Sequence, residues 1–116
     1  MIPGISPIQA DEWARTHKAA GSTPVLIDVR EPWELQQAQV RLPDAEFLHI
    51  PMQAIPQAVA DGSLPPDQPI LVLCHHGVRS MHVARFLAAQ GYGQVYNLTG
   101  GIDAWSSQKD DKVPVY

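Results

Sequence analysis

The sequence predicts an α/β fold: a small, doubly wound, mostly parallel five-stranded sheet with helices on both faces. Three observations predict it. Short aliphatic, β-branched runs recur along the 116 residues, and each is followed by a segment of helical character. Two of these runs, VLIDV and ILVLC, are almost continuously apolar, as in strands buried on both faces. Turn-forming residues separate the segments: Gly21, the stretch DGSLPPDQP, Gly91 and the pair Gly100–Gly101. Strands alternating with helices build a parallel sheet covered on both sides.

The elements follow in order. Residues 10–20 read as a helix, with Trp13 and Ala14 and then His17 and Lys18 at helical spacing, ended by Gly21. Residues 25–29 are the first strand. Residues 31–39 read as a short helix with Pro32 in its first turn, where proline is tolerated. FLHI, residues 47–50, is a second strand, and residues 52–60 a helical piece interrupted or delayed by Pro56. ILVLC, residues 70–74, is the most apolar strand. Residues 80–90 form the best helix, with Val83, Phe86 and Leu87 on one broad face and Gly91 closing it. VYNL, residues 95–98, is a further strand, and a last short helix runs through Trp105. The tail KVPVY is expected to add the fifth strand at an edge, where its proline is tolerated. Trp13, Trp33 and Trp105 are expected to pack in the interior.

Totals bound the function. The length suits one compact domain over residues 1–116, large enough to bury roughly two-thirds of its unfolded surface. A net charge of −4 argues against a general nucleic-acid binder, which carries a basic face. One cysteine cannot form an internal disulfide, which suits a reducing compartment. The opening MIPGISPIQADEW has neither the basic nor the apolar region of a signal peptide, and no apolar run approaches the ~20 residues of a membrane span. The expectation is a soluble cytoplasmic protein with no nucleic-acid or membrane partner.

The chemistry concentrates in LVLCHHGVRSMHVARFL. Cys74 stands at the carboxyl end of the most buried strand, where ligands sit in open α/β sheets. A loop, residues 75–79, follows, and Ser80 is expected to begin and cap the helix. A helix N-terminus presents unpaired N–H groups and partial positive charge, and a loop curled over it makes an anion-binding nest. Gly77 supplies backbone freedom, and Arg79 adds fixed charge. Each feature favours the thiolate, the nucleophilic form. The pattern points to nucleophilic cysteine catalysis on an oxyanion substrate, with the polar loop leaving the thiol open to solvent.

At these residues the chain resembles the single-domain rhodanese sulfurtransferases. LIDVREPWE, EFLHIPM, LCHHGVRSMHVARFLAAQGY and NLTGGIDAW are similar to that family's signatures and stand in the same order. The resemblance implies that Cys74 is catalytic. It takes sulfur from a donor such as thiosulfate, carries it as a persulfide, and passes it to a thiol, to cyanide or to a protein acceptor. It implies that the backbone of His75, His76, Gly77, Val78, Arg79 and Ser80 cradles the sulfur, with no cofactor and no metal. One segment departs from the family: Val40–Arg41–Leu42–Pro43–Asp44–Ala45 stands where a glycine–histidine–isoleucine–proline–glycine–alanine phrase is usual.

Other readings attach to the same residues. Cysteine phosphatases and arsenate reductases of related fold place one residue more between cysteine and arginine than the four found here, and a tighter ring suits a single sulfur atom. A non-catalytic or persulfide-relay interaction module is the other alternative. His75 and His76 are read as loop rim, or one of them as a proton donor or acceptor for an incoming thiol. Joint zinc binding with Cys74 is disfavoured, since three consecutive residues rarely converge on one ion. Arg79 either meets a sulfonate oxygen or braces the loop through a carboxylate. Asp28 and Arg30, two apart at the end of the first strand, are read as a structural ion pair beneath the loop, with a direct substrate contact by Arg30 as the disfavoured alternative. His82 is expected to face solvent.

Overall fold

The computed structural model describes residues 1–116. Five parallel strands, β1 (Gly4–Ile5), β2 (Val25–Asp28), β3 (Glu46–His49), β4 (Ile70–Leu73) and β5 (Val95–Leu98), lie in the order β1-β5-β4-β2-β3. The helices are α1 (Pro7–Ala19), α2 (Pro32–Gln37), α3 (Ile55–Ala60), α4 (Val78–Ala89) and α5 (Gly101–Gln108), with a 3₁₀ turn at Met52–Ala54 before α3.

β2 and β4 are the central pair, and every residue of both is buried. Their side chains alternate between two cores. Val25, Ile27, Ile70, Val72 and Cys74 pack with Ile55 of α3 and Val83, Ala84 and Leu87 of α4. Leu26, Leu71 and Leu73 pack on the other face with Ala10, Trp13 and Ala14 of α1 and Ile102 and Trp105 of α5. Chain order reverses between β2 and β4, so a topological switch point lies at their carboxyl ends. Cys74 follows β4 there, and Asp28 ends β2.

The fifth strand corrects the sequence reading. It is not the tail but Gly4–Ile5, which pairs with Asn97 and Leu98 of β5. The 112–116 segment forms no strand. It folds back from α5, buries Val113, and is held where the Ser106 hydroxyl donates to the Val113 carbonyl at 2.6 Å. Trp33 is also corrected: it is 59% exposed, whereas Trp13 and Trp105 are buried. In the departing segment, Val40 and Leu42 are buried, Pro43–Asp44 turn the chain through an Ala45 N–H to Leu42 carbonyl bond, and Arg41 lies over the Phe47 ring. A turn therefore forms without the usual glycine and histidine. No helix is long and apolar enough to cross a membrane.

Candidate active site

Gly77 governs the loop after β4. Its φ of +99° is left-handed, a conformation cheap only for glycine, and α4 starts directly after it at Val78. The helix therefore begins earlier than the sequence suggested: Gly77 occupies the cap position, and Ser80 lies inside the first turn. The early start turns orphan N–H groups onto the sulfur instead of onto a capping side chain. The Gly77 and Ser80 N–H groups donate to Cys74 Sγ at 3.0 and 3.3 Å. The thiol itself donates to Ser80 Oγ at 3.2 Å. The Ser80 hydroxyl donates onward to Asn97 Oδ1, and Asn97 Nδ2 donates to the Gly77 carbonyl at 3.2 Å. Asn97, from β5, thus ties both ends of the cradle together. Cys74 is only 1% exposed, so the thiol lies beneath the loop and is not open to solvent as expected. The polar loop curls over the sulfur because its N–H groups turn inward.

The cradle rests on α5. The Ile102 and Asp103 N–H groups donate to the Cys74 and His75 carbonyls at 2.9 and 3.1 Å. So close an approach requires glycine at the turn. A Cβ on Gly101 would lie 2.4 Å from both carbonyl oxygens, and its φ is +63°.

Arg79 faces a carboxylate. Its Nη1 and Nη2 donate to Glu34 Oε2 and Oε1 at 2.7 and 2.8 Å, a bidentate pair. Glu34 is 3% exposed. Its Oε2 also accepts the Glu31 N–H at 2.9 Å, at the start of α2, and its Oε1 accepts the Tyr116 hydroxyl at 3.0 Å. The Arg79 hydrogen bonds hold the Glu34 carboxyl down at about 2, against the upward push of burial, and Glu34 in turn raises Arg79.

Asp28 and Arg30 are wholly buried and paired at 2.8 Å. Arg30 uses every donor: Nε and Nη2 on Asp28, Nη2 also on the Ala38 carbonyl, and Nη1 on the Glu34 carbonyl and Tyr116 Oη. None remains for a substrate. Burial pulls the guanidinium down, but the bonds to Asp28 and Tyr116 outweigh it and hold it above its usual value.

His75 and His76 stack with centroids 3.9 Å apart and planes at 21°. His75 is half-buried, and burial, followed by the proximity of His76, lowers its pKa and favours the neutral ring. Asp103 lies near them, and one ligand atom from each of the three falls within 4.8 Å of the others. Imidazole lone pairs lie in the ring plane, and a zinc ion sits about 2.1 Å from nitrogen. Two nearly parallel stacked rings, as they stand here, do not converge on one ion at that distance. Cys74 is not among the three. Val78 is 66% exposed at the loop, and His82 is exposed on α4.

Three residues of this site escaped the sequence reading: Glu34, Asn97 and Tyr116. Glu34 had a signal, since it follows Pro32 in the first helical turn, where an acidic side chain reaches back to a free N–H. Asn97 opens the signature-like NLTGGIDAW but carried no sign of a contact with the loop, and Tyr116 had no signal.

A cysteine cradled by backbone donors, at the switch point of a small parallel sheet, defines a class of small α/β domain. The rhodanese-like domain family matches residues 10–108, and the chain belongs to that family. It is 40% identical over 82 residues to a sulfurtransferase of Allochromatium vinosum, covering 71% of each chain. It is 35% identical over 80 residues to the thiosulfate sulfurtransferase GlpE of Vibrio cholerae, covering 69% of this chain and 70% of that one. A crystal structure of a rhodanese-related protein from Thermoplasma volcanium superposes with a TM-score of 0.73 at 24% identity, over 98% of this chain and 99% of that one, and shares the fold. Sulfur transfer is the reaction class these relatives indicate.

Proposed function

We propose that the chain transfers a sulfane sulfur from a donor such as thiosulfate to a thiophilic acceptor, cyanide or a thiol, through a persulfide on Cys74. The observation that carries this reading is the pair of N–H groups, from Gly77 and Ser80, on the sulfur of a loop with four residues between Cys74 and Arg79. Donors aimed at one sulfur stabilise negative charge there without reorganising. In the first step Cys74 Sγ, as thiolate, attacks the outer sulfur of thiosulfate. The sulfur–sulfur bond of the donor breaks, and sulfite leaves with its electron pair. In the second, the acceptor attacks the outer sulfur of the persulfide, and Cys74 leaves as thiolate, again facing the two N–H groups. One difficult displacement becomes two easier ones. Arg79, committed to Glu34, braces the loop in this scheme, and the backbone of His75 to Ser80 meets the substrate.

The test is the intact mass of the protein after brief thiosulfate exposure, beside Cys74→Ser. The expected result is a gain of one sulfur atom, removed by cyanide and absent in the variant. A free, reduced Cys74 that gains nothing from thiosulfate or any other sulfane donor overturns the proposal. A protein thiol is the second acceptor reading, favoured by the exposed aliphatic Val78 beside the loop. Persulfide that passes to a protein thiol but not to cyanide would select it.

A further inference from the structure

Tyr116 reaches both ends of the Cys74 loop, one directly at His75 and the other through Glu34, although it is distant from that loop in sequence. Its ring lies flat on His75, with centroids 3.9 Å apart and planes at 8°. The stack continues through His75 to His76, and Trp33 meets Tyr116 edge-on at 6.3 Å. Its hydroxyl lies between two ion pairs, 2.8 Å from Arg30 Nη1 and 3.0 Å from Glu34 Oε1. Chemistry fixes the direction of both bonds. A guanidinium only donates and a carboxylate only accepts, so the phenol accepts from Arg30 and donates to Glu34. Glu34 then grips Arg79 at the far end of the loop. One side chain therefore holds the first loop residue by stacking and the last through a carboxylate. The thiol between them is 1% exposed.

We propose that Tyr116 is a positioning residue for sulfur transfer: through His75 and through Glu34–Arg79 it holds the loop in the shape that aims the Gly77 and Ser80 N–H groups at Cys74 Sγ. The proposal rests on the sulfur-transfer reading for its consequence in turnover, but not for its consequence at the thiol. It acts at a distance and makes no contact with the sulfur. Small displacements suffice, because misplacing a reacting group by about 1 Å can cost 10²-fold in rate.

Two substitutions separate the two holds. Tyr116→Phe keeps the ring on His75 and removes the hydroxyl. Tyr116→Leu removes both. Two rates are measured at 25 °C, well below each variant's melting temperature: alkylation of Cys74 by iodoacetamide, and persulfide formation from thiosulfate. Loosening the loop uncovers the thiol but disorders its donors. Alkylation is therefore expected to rise about fivefold or more in Tyr116→Leu, while kcat/KM for persulfide formation falls about tenfold, on the scale of a partly misplaced group. Tyr116→Phe should lie between that variant and the parent in both rates. A purely structural role lowers the melting temperature without moving the two rates in opposite directions. Alkylation and persulfide formation both within twofold of the parent in both variants overturn the proposal. If the parent forms no persulfide from thiosulfate or any other sulfane donor, the sulfur-transfer reading fails, and the alkylation rates alone still decide whether Tyr116 holds the loop. Should Tyr116→Leu not fold, the Tyr116→Phe rates decide it.

Discussion

At Gly101 one hydrogen atom separates a working turn from a collision. The positive φ and the two carbonyl oxygens 2.4 Å from a built Cβ act together, whereas Gly91, also left-handed at φ +95°, has open space around it. Gly101→Ala is expected to cost on the order of 3 kcal/mol, from conformational strain plus displaced backbone. Gly91→Ala carries only the conformational part, about 1 kcal/mol. Thermal denaturation of the two variants measures the difference, and equal losses would show that the loop yields to α5 without strain. The same scale explains what could be read in advance. Cys74, Gly77 and the Gly100–Gly101 pair carry their chemistry locally, in residue type and spacing. Asn97 is a strand residue whose amide finds Ser80 only after the sheet has formed, and nothing in VYNL distinguishes it.

Among the elements, α2 reaches the loop through a single side chain, Glu34. It is six residues long, too short to stand alone, and its Glu34 is held by Arg79, the Glu31 N–H and Tyr116 together. The Glu34 carboxyl titrates at about 2 when folded, below its ordinary 4.5. Its stabilisation is therefore complete above about pH 4.5 and is lost as pH falls towards about 2. Glu34→Gln should be less stable than the parent by about 2 kcal/mol at pH 7, the scale of a hydrogen-bonded charge. That gap should close on acidification, because only the parent loses an anion. Melting temperatures across the acid range test this, and a gap independent of pH would mean that the carboxylate charge is not what holds Arg79. The other elements differed in legibility for physical reasons. β2 and β4 were plain because burial on both faces leaves an unbroken apolar run. β1 was hidden because two residues have no period, and the KVPVY tail looked more like a strand than it is. Its composition reflects a buried Val113 and a docked Tyr116, not a ladder.

For the whole molecule, the strand order ranks the local stabilities. β4 lies between β5 and β2 with both faces covered, while β1 is a two-residue edge. Hydrogen exchange should be slowest at the amides of Leu71 and Val72, opening only with global unfolding, and fast at Ile5. Comparable protection of β1 and β4 would contradict this ranking. Sequence alone conveyed the layered architecture and the position of the cysteine at the end of β4, because both depend on patterns within single segments. It did not convey the bracing of the loop, because Glu34, Asn97 and Tyr116 reach it from three separate stretches of chain.

The bonds from Ile102 and Asp103 to the carbonyls of Cys74 and His75 have a consequence for descent. The first turn of α5 takes its missing acceptors from the Cys74 loop itself. An insertion beside Cys74 or His75 that moved those carbonyls would leave the start of α5 without its acceptors. The shape of the loop's start and the integrity of the last helix are therefore inherited together.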